Sequence, residues 1–327
     1  MGNYLVTGGT GQIGSFLSEE LVSKGHSVIC CDIKPNRSNV VKIQDRITIK
    51  ELDIAEMDDL MDVIRHLKVD CIVHLAAIVL LDSMRNPPLA YRVNIIGTDN
   101  VLEAARLADV EKVVLASSVL VYGSPRTRRA GVADEDDPPS PPPDPYSTSK
   151  MATELMGLYY HDTHGMDVNC MRIAAAWGPG RYTGYTGEFN DYVRRVAVGE
   201  APDFPANFSY RGAKLRWLYV KDVGSAFAHA AETKRPTRYL FNTGSKASFN
   251  GSYVVDVLNS IFPDRGLRIS PAEEPTRISA NVAGPNGLDI DCSKLYDELS
   301  FNARFDLPAG LRDMVNHERG LAGLPIV

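Results

Sequence analysis

The first 34 residues leave a chain of this kind little freedom of fold. From Asn3 to Lys34 the sequence NYLVTGGTGQIGSFLSEELVSKGHSVICCDIK reads as strand, glycine turn, helix, strand and acid. Tyr4 to Val6 are apolar, as a parallel strand buried on both faces requires. Gly8, Gly11 and Gly14 follow at three-residue spacing. Without side chains they let the backbone turn tightly, approach a pyrophosphate and pack the next helix onto the sheet. That helix carries Phe16, Leu17, Leu21 and Val22 at helical spacing, and its N-terminus offers free N–H groups and a positive dipole end to phosphates. Gly25 stops it, and Ser27 to Cys31 form a second strand. Asp32 stands at the end of that strand, 18 residues after Gly14. A carboxylate there accepts hydrogen bonds from adenosine ribose hydroxyls and repels a 2′-phosphate. NAD is therefore expected over NADP, with nearby Arg37 pulling the other way.

The same rhythm continues. Strands are expected at Ile47–Lys50, Cys71–His74, Lys112–Ala116 and Asp167–Arg172, with helices at Met57–His66, Leu89–Ala108 and Ser147–His164 between them. Such alternation implies an α/β fold, a doubly wound parallel (Rossmann) sheet. Past Arg172 the rhythm breaks. WGPGRYTGYTG is loop-like, Phe189–Val198 reads as helix, and Pro202 to Gly212 as irregular or hairpin. TRYLFNTG is expected to be a strand that rejoins the main sheet, with helices at Tyr253–Ile261 and in LDIDCSKLYDEL. The expected organisation is an NAD-binding domain over residues 1–172, rejoined by a strand near 237–244. A smaller mixed α/β substrate-binding region, residues 173–327, is interleaved at the C-terminus. DEDDPPSPPPDP, Asp134 to Pro145, is rich in prolines that oppose helix, so an extended loop is expected, a rigid solvated connector or, since it feeds into Tyr146, one rim of the substrate mouth.

Bulk properties narrow the class. The net charge of −6 is spread over scattered residues, so no nucleic-acid surface is expected. No apolar run nears the ~20 residues of a membrane span. The chain enters a strand almost at once, so no signal peptide is expected. The five cysteines include no CxxC pair and suit reduced, buried thiols in a cytoplasmic protein. His161 and His164 have a metal-compatible spacing but no evident third ligand, so no metal is expected.

The chemistry is expected between Val114 and Lys150. Ser117 and Ser118 close a strand in VLASSVLVYG, and Tyr146 and Lys150 lie one helical turn apart in PYSTSK. A phenol with its ordinary pKa of about 10 is a poor base at neutral pH. A lysine ammonium beside it favours the phenolate. A serine hydroxyl can then hold a substrate oxygen while the tyrosine takes its proton. With a hydride acceptor nearby, this is equipment for oxidising a secondary alcohol.

Over nearly its whole length the chain resembles an extended short-chain dehydrogenase/reductase of the NAD-dependent epimerase/dehydratase family, with partial similarity to the threonine dehydrogenase branch. TGGTGQIG matches the family's glycine motif, which implies cofactor contacts from Gly8, Gly11, Gln12, Ile13 and Gly14. Asp53 in ELDI, with Ile54, matches the adenine-contacting acid. HLAA implies that Leu75, Ala76 and Ala77 lie under the phosphates and nicotinamide ribose. Asn94 in VNIIGT matches a structural asparagine, and Ser117 falls beside the cofactor. Ser118 matches the catalytic hydroxyl position, and Tyr146 and Lys150 the catalytic pair. The equivalent of the helix bearing Met151, Leu155 and Leu158 often joins its two-fold mate, which implies a homodimer.

Departures from the family's patterns sort the possible reactions. Dehydratases place an Asp–Glu pair where Val119 and Leu120 stand here. Nucleotide-sugar epimerases carry an asparagine where Ala175 stands, and a diphosphate-gripping arginine where Leu215 stands between Lys214 and Arg216. A diphosphate without cationic or amide partners binds poorly. TGQIGS, NPPLAYRVN and GLYYHDTHGMDV resemble the threonine dehydrogenase branch, yet its polar substrate contact falls on Leu80. Leu80, Ser83, Arg85, Ser118, Ala175, Trp177, Arg181, Tyr185 and Arg216 are the expected substrate contacts. The expected function is an NAD-dependent oxidoreductase acting on a secondary alcohol or ketone of a small polar or carbohydrate-like substrate. The alternative is a (nucleotide-)sugar epimerase with tightly bound NAD, and a third possibility is a non-enzymatic NAD-sensing protein.

Overall fold

The computed structural model describes residues 1–123, 132–140, 143–273 and 289–327. Seven parallel strands form the central sheet: β1 (Asn3–Thr7), β2 (Ser27–Asp32), β3 (Ile47–Glu51), β4 (Cys71–His74), β5 (Lys112–Ser118), β6 (Asp167–Ile173) and β9 (Leu240–Thr243). Their order is β3-β2-β1-β4-β5-β6-β9. It reverses between β1 and β4, and the crevice above that switch point is where ligands bind in such sheets. The TRYLFNTG strand rejoins the sheet as expected, pairing Cys170–Ile173 with Leu240–Thr243. Burial on both faces explains the near-continuous apolar strands. Tyr4 and Val6 point into one core and Leu5 into the other. Cys30 and Cys31 divide in the same way.

Helix α1 (Gln12–Ser23) packs so closely on α8 (Val220–Glu232) that a Cβ at Gly224 would lie 2.7 Å from the Leu17 nitrogen. Helix α2 (Met57–His66) follows β3. The expected Leu89–Ala108 helix is longer and interrupted: α4 (Pro87–Tyr91), a π-helical turn (Arg92–Ile96) and α5 (Gly97–Leu107). Asn86 starts the run by accepting from the Leu89 N–H, with prolines in the first turn, where a missing N–H costs nothing. A short helix that the sequence did not reveal, α3 (Leu80–Arg85), precedes it; six residues are too few to show a period. Helix α6 (Pro145–His164) begins at the Asp144 cap, whose carboxylate accepts from the Ser147 N–H.

Beyond β6, a two-stranded parallel ribbon pairs β7 (Ala176–Trp177) with β8 (Leu218–Tyr219). It packs with α7 (Tyr185–Ala197), which starts earlier than the periodicity predicts, α9 (Gly251–Ile261) and α11 (Leu307–Leu321). A third core forms there around Trp177, Phe189, Phe208, Trp217 and Leu311. The LDIDCSKLYDEL helix is shorter than expected, α10 (Ser293–Glu298). Asp289–Asp291 is instead extended, and Ile290 bridges Ala133; Leu288 lies outside the described residues. In the proline-rich segment, Pro141 and Pro142 also lie outside them. Among the described residues no helix is long and apolar enough to cross a membrane, and all five cysteines are free and buried.

Candidate active site

The first loop after β1 is shaped by what its glycines lack. Gly8 has φ +66°, and a Cβ there would lie 2.9 Å from the Ala76 nitrogen. A Cβ at Gly14 would collide with the Gly8 carbonyl, whereas one at Gly11 would meet only that carbonyl, at 3.1 Å. The turn is thus closed on its inner side and open where Gly11 faces the crevice. Helix α1 begins there without a side-chain cap, so its first N–H groups are free for an anion. Asp32 ends β2, and its Oδ2 accepts from the Thr10 hydroxyl at 2.8 Å, which fixes the carboxylate for a ribose. These features fit a dinucleotide.

The remaining expected cofactor residues fall into two groups. Gln12, Ile13, Leu75, Ala77 and Ser117 line the crevice with the glycines, and Ala76 backs Gly8. Asp53 is tied down, accepting from the Ala55 N–H at 2.9 Å and from Arg92 at 3.0 Å. Ile54 does not present its side chain; it is buried against Gly97 in the core beneath α5. Asn94 does not line the crevice either. The π-helical turn swings its amide inward to bond the Ile78 N–H and C=O, at 2.7 and 2.9 Å, and the Ser149 hydroxyl at 3.0 Å. It is a strut between the loop after β4 and the helix carrying Tyr146. His74 is buried between the Thr7 and Thr98 hydroxyls, and burial lowers its pKa to about 3, so the imidazole is neutral.

Ser118, Tyr146 and Lys150 converge on the same cavity of about 380 Å³. Ser118 closes β5, Tyr146 sits in the first turn of α6, and Lys150 follows one turn later. The Lys150 Nζ donates to the Ala116 carbonyl at 2.7 Å and lies 5.7 Å from the centre of the Tyr146 ring. Burial lowers its pKa to about 8, against the opposing pull of Cys170 and Glu154. Burial raises Tyr146, while a hydrogen bond with Ser118 and the charge of Arg181 work against it. This differs from the sequence expectation in one respect: the charge favouring the phenolate is that of Arg181, while the Lys150 ammonium is aimed at a carbonyl.

Behind the site lies a buried ion pair. Arg172 on β6 grips Glu154, one turn past Lys150, with two bonds of 2.8 Å. Ser117 donates to the same carboxylate at 2.6 Å, and Tyr122 lies under the guanidinium. No sequence signal marked this pair.

Of the expected substrate contacts, Leu80, Ser118, Ala175, Arg181, Tyr185 and Arg216 line the cavity. Three do not. Ser83 is fully buried and donates to the Leu80 carbonyl. Arg85 is exposed and paired with Asp82 on the same helix. Trp177 is buried in the third core, because successive residues of a strand face opposite ways and Ala176 takes the cavity side. Val79, Leu81, Thr186, Trp217 and Ile290 also line it; nothing in the sequence indicated that Ile290, over a hundred residues past Tyr146, returns to it.

A parallel sheet with a glycine turn at its switch point, and a tyrosine–lysine pair beside a serine above it, define a dinucleotide-dependent oxidoreductase fold. The NAD dependent epimerase/dehydratase family profile matches residues 4–244. The chain is 31% identical over 329 residues to a UDP-glucuronate 4-epimerase of Thermodesulfobacterium geofontis, covering 97% of this chain and 96% of that one. It is 35% identical over 234 residues to a UDP-glucose 4-epimerase of Mycolicibacterium smegmatis, covering 69% and 72%. The structure of a Thermus thermophilus UDP-glucose 4-epimerase in complex with NAD superposes with a TM-score of 0.78 at 26% identity, covering 97% of this chain and 99% of that one. A Cupriavidus necator L-threonine dehydrogenase shares the fold, with a TM-score of 0.80 at 24% identity over 96% and 99% of the chains. The protein therefore belongs to the NAD-dependent epimerase/dehydratase family and is an extended short-chain dehydrogenase/reductase. Its cofactor is NAD.

Proposed function

We propose that this enzyme is a dehydrogenase that exchanges its NAD at each turnover and oxidises a secondary alcohol, or reduces the ketone, of a small polar or carbohydrate-like substrate. The observation that carries the reading is the meeting of Ser118, Tyr146 and Lys150 with the glycine turn in one cavity. Bound NAD supplies a ring that accepts a hydride. Ser118 orients the substrate hydroxyl. Tyr146 takes the hydroxyl proton as the carbinol hydrogen leaves with its electron pair, giving the carbonyl. Lys150, held by the Ala116 carbonyl, supplies a donor for the nicotinamide ribose, and the Arg181 charge favours the phenolate. Gly8, Gly11 and Gly14 with the α1 N-terminus hold the pyrophosphate, and Asp32 the adenosine ribose. Residues 1–172 with β9 hold the cofactor, and residues 173–327 shape the substrate end.

The second reading, an epimerase that returns the hydride to the opposite face, is favoured by the names of the relatives. Val119 and Leu120 after Ser118 cannot move a proton, which disfavours a dehydratase. The two redox readings differ in whether NAD leaves between turnovers, so the dinucleotide released on denaturation decides between them.

The enzyme is proposed to be a homodimer. Leu155, Leu158 and Tyr159 on α6 are 56%, 38% and 55% exposed, and Ile96 and Leu107 on the preceding helical run are 53% and 45% exposed. A second copy of the same helices covers such a face isologously. Two buried leucines exchanged for acids oppose the association, so Leu155→Asp with Leu158→Asp is expected to give a monomer by light scattering. A variant that keeps the wild-type mass rules this interface out. Five free buried thiols fit a cytoplasmic, reducing setting.

A further inference from the structure

Three cations line the substrate end of the cavity: Arg181, Lys214 and Arg216. Two of them are already satisfied. Asp289 accepts from Arg216 at 2.9 Å and from Lys214 at 3.4 Å, and Arg216 also donates to the Lys246 carbonyl. Burial would raise the Asp289 pKa, but these two cations outweigh it and hold the carboxylate ionised. Asp289 thus offsets one of the two positive charges at this end, and Leu215 stands between the two cations.

Arg181 is different. Its Nε donates to the Thr183 carbonyl at 3.1 Å. Its two Nη atoms have no hydrogen-bond partner, and no carboxylate lies within ion-pair distance, among the described residues. Yet the fold goes to some length to place it. The Asn190 amide donates to the Arg181 carbonyl at 2.9 Å and accepts from the Gly178 N–H at 2.9 Å. Gln12, from the glycine turn, reaches across to the Gly178 carbonyl at 2.8 Å. Gly184 has φ +79°, and a Cβ there would lie 2.5 Å from Nη2. Tyr185 lines the same cavity, and its buried hydroxyl has no hydrogen-bond partner among the described residues. Tyr185 also opens α7, whose N-terminus carries no side-chain cap and so adds positive potential.

A guanidinium with both Nη atoms free, in a cavity that Tyr185 also lines, matches a carboxylate, which accepts two parallel N–H bonds and a third bond on its remaining lone pairs. We propose that the substrate is a free hydroxy acid whose carboxylate pairs with Arg181 and accepts a hydrogen bond from Tyr185, and that it carries no nucleotide diphosphate. The inference rests on the reading that Tyr146 acts on a secondary alcohol in this cavity. Arg181 lies close enough to Tyr146 for their charges to interact, which places the carboxylate near the carbinol. The walls between them, Leu80, Leu81, Ala175 and Ile290, suit a short aliphatic chain. A diphosphate placed at Lys214 and Arg216 would meet the Asp289 carboxylate that both already hold.

The same carboxylate chemistry could reach the site on a sugar nucleotide, and the test separates the two. Calorimetry on the protein–NADH complex measures binding of short 2-oxo and 3-hydroxy acids, their amides, glucuronate and UDP-glucuronate. The acids are expected to bind about 100-fold more tightly than the amides, and Arg181→Gln to remove that difference, as loss of a buried charge-assisted pair does. Arg181→Lys should recover part of it, Tyr185→Phe should weaken the acids alone, and NADH affinity should stay unchanged in all three, which shows that they fold. UDP-glucuronate should bind no better than glucuronate. Equal binding of acids and amides, or an Arg181→Gln variant that binds acids normally, overturns the carboxylate site. UDP-glucuronate binding far more tightly than glucuronate overturns the free-acid assignment. Acids that bind through Arg181 while no hydroxy acid yields NADH support the carboxylate site and count against the oxidoreductase reading instead.

Discussion

Replacing Tyr146 with Phe is expected to lower turnover by roughly a thousandfold or more, the contribution of a well-placed general base, while leaving NAD affinity and the fold intact. The change removes one oxygen. The ring stays in the first turn of α6, and the Asp144 cap and the Lys150–Ala116 bond do not involve the hydroxyl. What goes is the hydroxyl that meets Ser118 and can exchange a proton with a substrate oxygen. Ser118→Ala should cost less, since the phenol remains and only the orientation of the substrate suffers. Turnover and NAD affinity measured side by side check this. Turnover kept in Tyr146→Phe would remove Tyr146 from the reaction.

The second large effect is on stability. Glu154→Ala is expected to cost about 3–5 kcal/mol, because it strands the Arg172 guanidinium as an uncompensated buried charge. Arg172 is 1% exposed, and its ion-pair bonds all go to that carboxylate. Ser117 loses its acceptor as well. Replacing both partners with apolar residues of similar volume, Glu154→Leu with Arg172→Met, should recover most of the loss, since the cost lies in the unpaired charge rather than in the missing attraction. Denaturant midpoints of the two single variants and the double variant read this directly. A single variant that loses less than about 1 kcal/mol, the range of an exposed pair, would show that the pair is not the buried strut described here. The catalytic consequence is separate: Glu154 is an acid whose charge favours the Lys150 ammonium, so surviving Glu154→Ala protein should bind NAD less well.

How far the sequence could be read follows from what each feature depends on. The strands, the glycine turn and Asp32 depend on local patterns, a run of apolar residues, a spacing and a strand end, and the structure places them as read. The proposed catalytic residues were legible because Tyr146 and Lys150 are one helical turn apart. Features that depend on distant contacts were not legible. Glu154 and Arg172 are ordinary residues until β6 is laid beside β5. Asn94 was legible only through the family resemblance, as a structural asparagine, and the π-helical turn shows why it faces inward. Trp177 was misjudged because the phase of a two-residue strand cannot be read from so short a pattern; Ala176 lines the cavity and the tryptophan builds the core. Arg181 and Arg216 looked alike as sequence, and only Asp289 separates a satisfied cation from a free one.

The central claim is that NAD enters, accepts hydride and leaves at each turnover. It is tested most directly by denaturing the purified protein without added cofactor and quantifying the dinucleotide released, alongside reversible NAD binding to the untreated protein. Little released NAD, with added NAD binding reversibly, is the predicted result and supports an exchanging dehydrogenase. NAD released at close to one per chain would contradict it, making the cofactor a resident catalyst and the protein an epimerase.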